Sequence, residues 1–101
     1  MNHTVVVTAQ IRPGKREELV RMLAEGPPFD LAAKGFDRHL AFLGDQQLVL
    51  VFEGERAVTS VRSLAASLPL SEVTRLGRLV SNPQVLTEGR VWTASPAAAT
   101  A

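Results

Sequence analysis

The chain contains no cysteine, which excludes disulfides, a thiolate nucleophile, a CxxC redox pair and any thiolate metal site. Charge of one sign is also missing: 11 Lys and Arg stand against 10 Asp and Glu, a net +1, and they are scattered along the sequence. Electrostatic capture of nucleic acid has little to work with, so no nucleic-acid partner is expected. No apolar run approaches the ~20 residues that a membrane helix requires. Met1-Asn2-His3-Thr4 leads into a valine-rich segment without a basic and then apolar leader, so a cytoplasmic protein with no membrane partner is expected. The glycines at Gly14, Gly35, Gly44 and Gly54 stand singly at the ends of elements and form no phosphate-cradling loop. Ser60, Ser63, Ser67 and Ser71 belong to a helix and its cap region, without the strand-to-helix elbow that exposes an activated serine. Two histidines, His3 and His39, have no carboxylates at ligand spacing, so no metal is expected.

What is present is an ordinary globular composition, 46% hydrophobic and 21% charged over 101 residues, enough for one core and too little for two domains. A single domain is expected over residues 1–93, followed by a disordered tail over residues 94–101 that contains Pro96 and Ala97-Ala98-Ala99. Residues 4–11 are mostly β-branched and end at Arg12-Pro13-Gly14, a first strand closed by a turn. Pro13 suits the entrance of a helix in which Leu19, Val20, Met22 and Leu23 recur among charges, stopped by Gly26-Pro27-Pro28. Residues 29–34 fit a single helical turn, and residues 36–43 and 47–53 make a hairpin about Gly44-Asp45-Gln46. A second helix carries Val58, Val61, Leu64, Ala65 and Leu68 up to Pro69. A short third one begins at Ser71, carries Val73, Leu76 and Leu79, and is expected to end at Asn82-Pro83. Residues 84–93 supply the last strand through Val85, Leu86, Val91 and Trp92.

This order is β-α-β-β-α-β with an extra helix, the split βαβ plan of an α+β, ferredoxin-like antiparallel sheet with its helices on one face. Strands one and three should be central because they are the most continuously apolar, whereas the other two carry Asp37, Arg38, His39, Glu88 and Arg90. Alternation places Val5, Val7, Ala9, Ile11, Phe36, Leu40, Phe42, Leu48, Leu50 and Phe52 toward the helices. The opposite face would then hold Val6, Thr8, Gln10, Asp37, His39, Ala41, Leu43, Val49, Val51, Glu53, Glu88, Arg90 and Trp92. Leaving Val6, Leu43, Val49 and Val51 in water would forgo roughly 1.5–3 kcal/mol for each large side chain. A second copy closing over that face is the natural remedy, so a homodimer is expected.

Several residues carry a family likeness: the valine-rich first strand, Gly35-Phe36-Asp37-Arg38-His39 opening the second, Leu48-Val49-Leu50-Val51-Phe52-Glu53 in the third and Trp92 late in the fourth. As a pattern of elements over residues 4–93, the chain resembles the dimeric α/β-barrel superfamily, which includes antibiotic-biosynthesis monooxygenase-like, stress-responsive barrel and polyketide-cyclase-like proteins. The resemblance implies two sheets facing each other across a dimer and a pocket for a small, often aromatic, organic ligand. It implies a cofactor-independent monooxygenase, isomerase or cyclase acting on an aromatic or polyketide-like compound. Haem-degrading members carry an iron-ligating histidine on a helix and an asparagine on an early strand. Here neither histidine falls in an expected helix and Asn2 precedes the strand.

Within that frame His39 is the candidate proton acceptor or donor, since imidazole titrates near neutrality, and Asp37, two residues away, is the candidate that orients it. The competing reading of His39 is a hydrogen-bonded interface histidine. Gln10, Glu53, Glu88 and Arg90 would offer polar groups in an otherwise apolar cavity, or else hydrogen bonds between subunits. Trp92 would wall an aromatic ligand or simply pack. The alternative to an enzyme is a non-catalytic, metabolite-binding or regulatory dimer. RNA recognition through the same fold would need exposed aromatics on the central strands, and only Phe52 is available there.

Overall fold

The run of β-branched side chains at residues 4–8 forms the middle of β1 (His3–Ile11), as their pleat-filling shape dictates. In the computed structural model, residues 3–92 and residue 94 are described. The expected tail therefore lies, apart from Ala94, outside the described residues. After β1 come α1 (Arg16–Ala24), β2 (Arg38–Leu43), β3 (Gln47–Gly54), α2 (Ala57–Ser67), α3 (Leu70–Leu79) and β4 (Val80–Leu86). The four strands form one antiparallel sheet in the order β2-β3-β1-β4. The two most apolar strands are indeed the inner pair. Residues 31–35 form hydrogen-bonded turns, with the Lys34 amide donating to the Asp30 and Leu31 carbonyls.

Helix α2 lies against β1 and β3, and α3 against β4 and α1. The core between helices and sheet falls into two clusters. Val5, Phe36, Phe52, Ala57, Val61 and Leu64 make one, and Ala9, Leu19, Leu48, Leu79 and Val80 the other. Leu50 packs against both clusters. Leu19, the one fully buried residue of α1, seats that helix on the second cluster, while Glu17 and Glu18 in its first turn and Arg21 in its last suit the helix dipole.

Two expectations are corrected. In β2 the faces are exchanged: His39, Ala41 and Leu43 lie opposite Phe52, Leu50 and Leu48, on the helix side, and Leu40 and Phe42 lie opposite Val51 and Val49, on the other. Phe36 is buried as expected, but it belongs to the loop before the strand. The chain bends at Asp37, whose amide donates to the Glu53 carbonyl at 2.8 Å, so alternation counted from Phe36 runs one residue out of step. In β4, the strand begins at Val80 directly after α3 and contains Asn82-Pro83, which does not end the helix. Asn82 adopts φ 54°, and the pairing of β1 with β4 shifts between Thr8 and Gln10. An edge strand with a bulge accommodates a proline that has no N–H to give to a ladder. The strand stops at Leu86, so Val91 and Trp92 lie outside the sheet.

The face away from the helices carries Val6, Leu40, Phe42, Val49 and Val51. Phe42 is 54% exposed there, and the other four are half-buried.

Candidate functional site

Between the sheet and its helices lies a cavity of about 290 Å³. Its floor is Leu48, Leu50 and Phe52 of β3 with His39 and Ala41 of β2, and its walls come from α1, α2, α3 and the Pro27-Pro28-Phe29 segment. The parity of β2 that exposes Phe42 also turns His39 into this space. His39 and Glu72 are the ionisable side chains in a lining that is otherwise apolar apart from backbone. The His39 ring stacks on Phe52, with centroids 4.2 Å apart and planes 15° from parallel, and lies 6.1 Å from the Phe29 ring. Phe52 in turn packs on Phe36 at 5.0 Å. The imidazole is thus held in a stack of aromatic rings rather than free to swing.

His39 Nδ1 lies 3.0 Å from the Val51 carbonyl oxygen. A carbonyl only accepts, so Nδ1 carries the proton in this bond. In the neutral ring Nε2 is then the unprotonated nitrogen. The ring is thereby fixed in orientation where it lines the cavity, and Glu72 is the carboxylate in the same lining.

Helices α1 and α3, which flank the cavity with Met22, Leu23 and Leu76, are tied by a two-pronged ion pair. Arg75 Nη1 and Nη2 donate to Glu25 Oε2 and Oε1 at 3.1 and 2.8 Å. Hydrogen bonds from Arg75 and its positive charge hold the Glu25 carboxyl below its ordinary value of 4.5. The same bonds hold the Arg75 guanidinium above its own. A depressed carboxylate value means that the tie is present above the unfolded value and is lost as pH falls through the folded one. Glu25→Gln should therefore be less stable than wild type near neutrality, and the two denaturation midpoints should converge as pH drops below 4.5. Midpoints that stay equally separated at acid pH would show that the tie contributes nothing.

The remaining candidates are dispersed. The Asp37 side chain is exposed and makes no hydrogen bond to His39 among the described residues. Glu53 lies on the open face, where it accepts from Arg38 Nε at 2.6 Å and Nη2 at 3.4 Å. Gln10 sits at one end of the sheet in a cleft with Arg12 and Arg16. Glu88 and Arg90 line a groove with His3 and Thr4 beside the start of β1. Trp92 is 86% exposed. None of Gln10, Glu53, Arg90 and Trp92 lines the cavity with His39.

Sequence reasoning missed Glu72, although a signal for it exists. Glu72, Leu76 and Leu79 follow at four and three residues, so this carboxylate shares the inward stripe of α3. Phe29 contributes to the cavity wall. Among the described residues no group of three or more His, Asp or Glu side chains is placed to hold a metal, and no helix is long and apolar enough to cross a membrane.

No family model matches the chain, and no curated protein matches it. A solved structure from Chloroflexus aurantiacus J-10-fl, provisionally described as an antibiotic biosynthesis monooxygenase, is similar over 92% of this chain and 98% of its own, with a TM-score of 0.56 and 14% sequence identity. At that identity the likeness concerns the fold: this chain is an α+β protein with the ferredoxin-like, four-stranded architecture of that monooxygenase-like protein.

Proposed function

We propose that the cavity binds a small aromatic or polyketide-like compound and that His39 Nε2 removes a phenolic or enolic proton from it. The reading is carried by one observation: a histidine whose Nδ1 is fixed on a carbonyl at 3.0 Å stands in the floor of a cavity whose other side chains, Glu72 apart, are apolar. Apolar walls with a few convergent polar groups are what small-molecule sites have in common, and about 290 Å³ suits a compound of one or two rings. Deprotonation raises electron density on the ring or enol. It is the step that oxygenation, isomerisation and cyclisation of such compounds share, and it needs a base rather than a bound cofactor. Glu72 stands in the same lining and is the other ionisable side chain the ligand would meet. The Chloroflexus protein's description supports the oxygenation branch through fold likeness. The test is oxygen consumption and product formation with phenolic and quinone-like compounds, wild type against a His39 variant.

A second reading, metabolite binding without turnover, is favoured by the partner of His39, which is a backbone carbonyl and not a carboxylate. Saturable binding in the cavity with no product from any test compound would establish it.

The functional unit in this proposal is a homodimer closed over the open sheet face. Val6, Leu40, Phe42, Val49 and Val51 form a continuous apolar surface there, flanked by the Arg38 and Glu53 pair. Sedimentation at micromolar concentration should give a dimer. Val51→Asp, which sets a charge into that surface, should give a folded monomer, because an unpaired carboxylate cannot be buried without a large desolvation cost. A wild type that sediments as a monomer would overturn the dimer.

A further inference from the structure

At the end of the sheet where β1 leads into α1, a second concavity of about 790 Å³ is lined by Gln10, Arg12, Arg16, Gln46, Gln47 and Ser81 among others. Its chemistry is the reverse of the cavity around His39. We propose that this cleft binds a small oxyanion carrying two negative charges, the chemistry shared by phosphate monoesters and dicarboxylates.

Two arginines carry the argument. Arg12 Nε donates to the Gly77 carbonyl, in the last turn of α3, and Arg16 Nε donates to the Gly44 carbonyl, in the β2–β3 turn, each at 3.0 Å. A guanidinium has five N–H donors, so each arginine is anchored through one while its two Nη groups stay available. Anchoring removes much of the rotamer freedom that a long side chain otherwise loses on binding. Both charges are also uncompensated. The ion pairs among the described residues use Arg21, Arg38 and Arg75, and neither Arg12 nor Arg16 has a carboxylate within ion-pair distance. Asp45 is the acidic side chain in the lining; it sits on the exposed turn and pairs with neither.

Neutral donors complete the cleft. Gln10 lies opposite Gln47 on one side and Ser81 on the other, so three polar side chains cross the end of the sheet in one row. The N-terminus of α1 adds little, because Glu17 and Glu18 already occupy its first turn. Two fixed cations walled by neutral amides and a hydroxyl select for charge number: a dianion satisfies both guanidinium forks, whereas chloride satisfies neither. The competing account, in which the arginines only cap backbone carbonyls, makes no provision for anion binding.

The probes are inorganic phosphate and malonate, titrated into the isotopically labelled full chain at constant ionic strength, with chloride as the balancing salt. Saturable amide shifts are expected at Gly14, Gln46, Gln47 and Ser81. Affinity should fall about tenfold in Arg16→Gln and in Arg12→Gln, the loss of one charge-assisted bond in each. Tighter binding of phosphate assigns the cleft to phosphate esters, and tighter binding of malonate to dicarboxylates. Arg12→Gln also uncaps α3, so should it fail to fold, the wild-type shifts and Arg16→Gln decide the matter. Shifts that vanish at constant ionic strength, or an affinity unchanged in Arg16→Gln, would overturn the proposal.

Discussion

Replacing His39 by asparagine is expected to lower turnover of a phenolic or enolic substrate by about 10²–10⁴-fold, the usual contribution of a positioned general base. Asparagine is the informative choice. Its side-chain amide N–H stands near where Nδ1–H stood and can still donate to the Val51 carbonyl, now 3.0 Å from Nδ1, so the β2–β3 contact survives. What disappears is Nε2 and with it the proton acceptor. The loss should fall on kcat, with KM little altered, because the apolar walls that bind the ligand are untouched. A large rise in KM at unchanged kcat would instead mean that His39 only shapes the cavity. Asp37→Ala provides the contrast. That carboxylate is exposed and is not bonded to the imidazole, so its removal should leave kcat within about twofold, inside the range of ordinary surface substitutions. Equal, large losses in both variants would show that the two act as a unit in solution.

The sequence made the sheet legible but not the site, and the difference has a physical cause. Strands β1 and β3 are inner strands with apolar residues on both faces, so their composition alone announces where they lie. Helix positions follow from stops that act locally, Gly26-Pro27-Pro28 and Pro69. Which face an edge strand presents depends instead on register, and register turns on a single residue. Phe36 is as apolar as any core residue and is buried, yet it precedes the strand, and the bend at Asp37 reverses the parity for everything after it. Leu40 and Phe42 then face outward and His39 and Ala41 inward. Since both faces of the sheet are apolar, hydrophobicity could not choose between the two registers. His39 was legible as a residue of interest, but its companions were not: Glu72 comes from a helix 33 positions away in sequence, and no local pattern joins them. Asn82-Pro83 misled in a similar way, since those residues end helices as readily as they mark a bulged edge strand.

Gly54→Ala should be among the most destabilising single-methyl changes in the chain, at or above the top of the ~1–3 kcal/mol range for overpacking a filled interior. The reason is space, not backbone conformation. A Cβ at Gly54 would stand 2.6 Å from the Gly35 carbonyl oxygen and 3.3 Å from the Phe36 Cα, and both are backbone atoms that no rotamer change can move aside. The segment crossing there is the one that seats Phe36 on Phe52, with ring centroids 5.0 Å apart, and Phe52 carries the stacked His39 ring at 4.2 Å. Displacing it would loosen the first core cluster and the cavity floor together. Two other glycines calibrate the effect. Gly35 has φ 85°, and its added Cβ would meet Ser60 Oγ at 2.9 Å, the end of a side chain that can rotate away. Gly35→Ala should accordingly cost about 1–2 kcal/mol, the left-handed backbone being the larger part. Gly77 lies in α3 with nothing within 4 Å of the added carbon, so Gly77→Ala should stabilise by roughly 0.5–1 kcal/mol through helix propensity. Thermal unfolding of the three variants should therefore rank Gly77→Ala above wild type, Gly35→Ala below it and Gly54→Ala lowest, with a midpoint depressed by about 10 °C or more for a domain of this size. A Gly54→Ala protein as stable as wild type would mean that the loop before β2 does not cross the sheet where it is placed, and the aromatic stack that orients His39 would have no foundation.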